Sequence, residues 1–310
     1  MSQLAQLEST GKNISSSPEL SSPWPTIWWQ LLIPVLLIGW LYSSILFHLA
    51  SQWAEDPNFS HGFFVPLFAV FVLWRDRARL ESLPRRPSSW GILVVALSLG
   101  VLIVGILGAE LFLARISLLI LIAGLVLVFL GANYFRAVLF PLSFLLLMIP
   151  IPTLIFNQVT FPLQLLASRV AAAVLPWLGV PVLREGNIIN LPAMSLEVAE
   201  ACSGIRSLLS LITLAVIYGY LRTGVTWLRL ALVLAAVPIA IFANSLRIVT
   251  TGLIVQYWNP HKAEGFFHSF SGWLVFLVSL VILCLVEKTL SQSDRKEETQ
   301  SWRQILGSLR

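Results

Sequence analysis

Long apolar stretches without a charge govern what this chain can become. Residues 90–107 read WGILVVALSLGVLIVGIL, and comparable runs recur between about residues 27 and 286. A helix needs roughly 20 mostly apolar residues to cross the hydrocarbon core of a bilayer. A soluble fold has no place for a series of such runs. The 310 residues are 57% hydrophobic and only 11% charged, where soluble domains carry about 25% charged residues. The composition therefore excludes a soluble globular protein. The 12 tryptophans suit two interfacial belts. In this setting the net charge of +5 sets orientation and does not argue for nucleic acid as a partner.

The runs predict an all-α polytopic membrane protein of about eight transmembrane helices, at 27–49, 61–74, 90–107, 116–130, 138–151, 204–221, 228–254 and 272–286. Residues 1–25, rich in Ser and Pro, read as a disordered cytoplasmic tail, 26–288 as the membrane domain and 289–310 as a cytoplasmic tail. With the N-terminus inside, fourteen of the 20 lysines and arginines fall on the cytoplasmic side, the densest group being RDRARLESLPRRP from Arg75. This is the bias that the positive-inside rule expects, and an even number of spans leaves both termini inside.

One long segment, 152–201, falls outside. Its first half is amphipathic enough to lie in the interface or to add spans, and the sequence leaves both open. Its second half, VPVLREGNIINLPAMSLEVAE, carries a turn signal at REGN and alternating apolar residues. It predicts a small extracytoplasmic β-hairpin that delivers Cys202 to the start of the sixth span. The other cysteine, Cys284, lies in an apolar span, where a thiol is inert, and the two are expected not to pair.

Polar residues near the outer side need a reason. In EACSGIRS, Cys202 precedes a helix start at Ser203 and Gly204, whose dipole favours a thiolate; Glu197 and Glu200 oppose it unless a base or cation intervenes. In FANSLRIVTTG, Asn244 and Arg247 share one helix face. Arg247 either snorkels to the interface or points with Asn244 into the bundle. In GFFHSFSGW, His268 precedes the eighth span and is either an interfacial residue or a proton carrier. The topology brings Cys202, Arg247 and His268 to the same side and depth. A thiol gives up its proton to an imidazole and attacks, the imidazolium protonates a leaving amine, and a guanidinium steadies the developing anion. That set suits acyl transfer from a peptide bond. The rival readings are a membrane carrier or a lipid-linked acyltransferase in which Arg247 binds an anionic group. No HExxH, CxxC or P-loop occurs, so no metal or cofactor is expected.

Four stretches in order, DPNFSHGFFVPL from Asp56, EACSGIRSLLS from Glu200, NSLRIV from Asn244 and FHSFSGWLVF from Phe267, resemble the exosortase/archaeosortase family of membrane cysteine peptidases or transpeptidases. The resemblance implies Cys202 as nucleophile, with the family arginine at Arg247 and the family histidine at His268. Asn244, Glu200, Ser203 and His61 are supporting candidates. It further implies substrates bearing a C-terminal sorting signal (a PEP-CTERM-like motif, one helix and a basic cluster) and a link to exopolysaccharide and biofilm production. The expected location is the bacterial inner membrane with the site extracytoplasmic. The expected partners are the substrate's signal helix, the bilayer and a separate accessory protein.

Overall fold

The computed structural model describes residues 33, 35–198, 204–222, 225–257 and 266–308. The expected 1–25 tail lies outside them. Contacts divide the chain into two units, 1–47 and 48–310. In the first, α1 (Val35–Leu41) and the start of α2 (Ser43–Glu55) form a pair bent by 67°. Val35, Leu36, Leu37 and Trp40 are exposed there, as suits a surface whose solvent is lipid.

The second unit continues α2 into a 3-10 segment, Pro57–Phe63, and α3 (Phe64–Arg75). Asp56 caps the 3-10 segment, accepting the Asn58 N–H at 2.8 Å. The short α4 (Arg77–Glu81), α5 (Trp90–Leu107) and α6 (Leu111–Phe129) follow. Gly91 and Gly105 let α5 and α6 approach closely: a Cβ at either would lie 2.5 Å from Val128 N or 2.7 Å from Ala114 N. Small residues drive helix pairing where lipid removes the hydrophobic incentive. Gly131, at φ +90°, turns the chain against the Arg86 carbonyl into α7 (Ala132–Phe144), extended by Leu145–Met148.

After the Ile149–Pro152 break comes α8 (Thr153–Val174), prolonged by Leu175–Leu178. Then come strands β1 (Leu183–Glu185), β2 (Ile188–Asn190) and β3 (Ser195–Glu197), followed by α9 (Gly204–Arg222), α10 (Thr226–Tyr257) and α11 (Phe266–Ser308). Six described helices have the length and apolarity to cross a membrane, or seven if the bent α1–α2 pair counts as one span. Ala132–Met148 is a shorter apolar helix. The expectation of about eight holds approximately, but the membership changes. The second span begins at Pro57 and the fourth at Leu111, while 153–178 joins the set. The C-terminal residues 289–308 continue α11 as helix.

The open question over 152–179 has a structural answer. Thr160, Leu163 and Gln164 of α8 border the same cavity as Ala240, Ile241 and Asn244 of α10. Further along, Ala167, Ala171 and Leu175 join one core cluster with Ile248, Val249 and Val255. Both helices are traversed in the same order, so α8 runs parallel to α10 and neither lies flat nor doubles back along it. By contrast α9 and α11 run antiparallel to α10. Gly219 faces Arg229 and Leu208 meets Ala240 on one side; Leu283 clusters with Ala236 and Gly272 faces Arg247 on the other.

The expected hairpin is a three-stranded antiparallel sheet, order β1-β2-β3, pairing Arg184 with Ile189 and Ile189 with Leu196. Sequence alternation at MSLEVAE anticipated the third strand's pattern without assigning it a partner. The sheet is pinned to α8: Arg184 Nη1 donates to Gly186 O (2.7 Å) and Ser168 Oγ (3.3 Å), and Ser168 Oγ donates to Gly186 O at 3.0 Å. Ile189, Leu196 and Val198 fill its inner face against α8 and α10.

Candidate functional site

Asn244 and Arg247 lie on one face of α10, three residues apart, and both are buried, at 8% and 4% exposure. For Arg247 this excludes the snorkelling alternative, because a snorkelling head would be in solvent. The guanidinium packs against α11 where that helix has no side chain: a Cβ on Gly272 would sit 3.2 Å from Arg247 Nη2 and 3.3 Å from Cζ. Gly272 is thus what admits the cation between the two helices.

His268 is in the first turn of α11, which begins at Phe266. It precedes Gly272 by four residues, so the two positions share one stripe of the helix. Cys202, Glu200 and Ser203 lie outside the described residues. The chain on both sides of them is placed. Val198 is buried in the cluster that holds Ile248, the residue after Arg247. Gly204 opens α9, whose antiparallel register against α10 carries Leu208 to Ala240 and hence Gly204 to the level of Asn244.

Next to Asn244, a small cavity opens between α8, α9 and α10, bordered by Thr160, Gln164, Leu208 and Ile241 among others. Among the described residues, no ionisable side chain lines it. The amides of Asn244 and Gln164 and the Thr160 hydroxyl give it donors and acceptors. Thr160 Oγ1 donates to Phe156 O.

His61 sits apart from this cavity. Its Nε2 is 3.2 Å from Leu147 O, beside Trp53, whose Nε1 donates to Met148 O at 2.8 Å. The structure thus brings Asn244 and Arg247 together with the helix that carries His268, and puts His61 at the junction of the 3-10 segment with the end of α7. Cys284 is half-buried and in no disulfide. Sequence reasoning missed Gly272 and Gln164. Gly272 had a detectable signal, its spacing of four from His268; Gln164 had none, because its importance comes from α8 lying against α10.

Fold and site together define a polytopic helical membrane protein with a buried cationic, hydrogen-bonding face near one end of its bundle. The transmembrane exosortase family model (Exosortase_EpsH) matches residues 53–285, and the chain belongs to that family, one of membrane peptidases or transpeptidases acting in protein sorting. No curated protein and no solved structure matches it.

Proposed function

We propose that the chain is a thiol transpeptidase or peptidase of the bacterial inner membrane. Its site is extracytoplasmic, both termini are cytoplasmic, and it cuts the C-terminal, PEP-CTERM-like sorting signal of exported proteins. Cys202 Sγ attacks the scissile carbonyl carbon as His268 takes its proton. Arg247 stabilises the anion on the carbonyl oxygen. The C–N bond breaks as His268 returns the proton to the leaving amine. The thioacyl-enzyme that remains is resolved by water or by an amine. The substrate's basic tail stays in the cytoplasm and its single helix lifts the scissile bond to the site, as the positive-inside rule favours. Release of such proteins links the enzyme to exopolysaccharide and biofilm production.

The observation that carries this reading is the burial of Arg247 against Gly272, on the helix that bears His268. It is supported by the entry of α9 beside Asn244, two residues after Cys202. A buried guanidinium is costly in a membrane protein and marks function.

Intact mass spectrometry of the purified protein, incubated with a model substrate bearing such a signal, tests the proposal. The expected result is a mass gain equal to the substrate's N-terminal part, mapped to Cys202 and released by hydroxylamine. Cys202→Ala is expected to express normally and to process nothing. Bound, intact substrate with no adduct would instead mark a carrier.

A further inference from the structure

A second polar site lies away from Arg247. A cleft of about 440 Å³ opens where α2 ends, the Pro57–Phe63 segment begins and α6 starts, and His48, Gln52, Glu55, Asp56 and Arg115 border it. Arg115 is only 3% exposed, five positions into an apolar helix. Its Nη1 donates to Gln52 Oε1 at 2.8 Å, while its Nε is buried with no acceptor. Among the described residues it has no ion pair. Burying a cation with one neutral hydrogen bond is expensive, so this arrangement calls for a further acceptor.

The cleft also specifies what kind. Glu55 and Asp56 border it opposite in charge to Arg115, so a simple anion meets two carboxylates and a simple cation meets the guanidinium. A ligand with both signs satisfies both. The ends of two membrane-length apolar elements, Pro57–Arg75 and Leu111–Phe129, meet the end of α2 here, at the opposite end of α5 from the Arg85 and Arg86 pair, which is where headgroups lie. Leu111, 48% exposed, forms an apolar edge beside the polar floor.

We infer that this cleft binds a zwitterionic phospholipid headgroup, its phosphate on the Arg115 guanidinium and its ammonium toward Glu55 and Asp56. The planar guanidinium fork suits phosphate oxygens, and a primary ammonium can hydrogen-bond the carboxylates where a trimethylated one cannot. The site gives Asp56 a role that the peptidase chemistry does not, and it stands independently of that chemistry.

Native mass spectrometry and thermal unfolding in detergent test it, with phosphatidylethanolamine, phosphatidylcholine and phosphatidylglycerol added separately. The wild type is expected to retain and be stabilised by phosphatidylethanolamine over the other two. Arg115→Met removes a lone buried charge and so should fold, with binding weakened at least about tenfold. The Glu55→Gln, Asp56→Asn double variant should shift preference toward phosphatidylglycerol. Should Arg115→Met fail to fold, Arg115→Lys keeps the charge without the fork and is expected to weaken binding severalfold. Undiminished phosphatidylethanolamine binding in the Arg115 variant that folds would overturn the proposal, as would equal retention of all three lipids by the wild type. Inorganic phosphate or glycerophosphoethanolamine stabilising the wild type as well as the lipid does would overturn it too, by showing a soluble ligand.

Discussion

At the scale of single residues, Gly272 and Arg247 give the sharpest prediction. Alanine suits a helix interior better than glycine by roughly 0.5–1 kcal/mol, so Gly272→Ala is not expected to lower the unfolding temperature. Its Cβ, 3.2 Å from Arg247 Nη2, would shift the guanidinium by a few tenths of an ångström. Since misplacement by about 1 Å can cost on the order of a hundredfold, substrate cleavage by Gly272→Ala is expected to fall about tenfold. Comparing cleavage rate with unfolding temperature for the one variant checks this; loss of both together would make Gly272 a packing residue only. Arg247→Lys keeps the charge but loses the planar fork, and its cleavage is expected to drop with little change in expression. The sequence made Arg247 conspicuous as a cation within an apolar run. It could not say whether the side chain reached solvent or the bundle, since both lie within reach of a long flexible stem.

Between elements, the Arg-rich end is held by one aromatic node. Tyr220 of α9 stacks on Phe140 of α7 at 4.0 Å and 7°. Arg75 and Arg229 lie over its ring at 4.8 and 5.2 Å. Its hydroxyl donates to Asp76 Oδ2 at 3.0 Å. Four elements meet there, so Tyr220→Ala is expected to cost about 2–4 kcal/mol. Tyr220→Phe, losing the hydrogen bond alone, should cost about 1 kcal/mol. Thermal unfolding in detergent of the two variants separates the terms. Gly131 is a second such joint: at φ +90°, a Cβ there would meet Arg86 O at 1.8 Å. Gly131→Ala is expected to abolish accumulation of folded protein, read by size-exclusion chromatography. Helix positions were legible because apolar run length sets them. The three-stranded sheet was only half legible, since strands of three residues owe their pairing to the surface that they cover and have little local signal of their own.

For the whole molecule, the direction of α8 decides how the bundle is threaded. Its parallel course beside α10 puts Trp177, 90% exposed, with the sheet and away from the Arg75–Arg86 group. Single cysteines in a Cys202→Ala, Cys284→Ala background test this. Trp177→Cys and Arg184→Cys are expected to react with an impermeant maleimide from the same side, and Glu81→Cys only from the other. Labelling of Trp177→Cys with Glu81→Cys would mean that α8 crosses back.

What the sequence determined by itself is the class of the molecule and the identity of its unusual residues. Bilayer thickness sets the length of an apolar run, and a cation or amide inside such a run stands out against it. Tertiary structure alone decided which polar residues share a surface. Arg247 is buried because α11 offers it a glycine, Asn244 and Gln164 border one cavity because α8 packs against α10, and Arg115 borders a second cleft because the end of α2 meets the start of α6. Each of these depends on the register between helices, which is set by packing over residues far apart in the chain and leaves no local pattern to read.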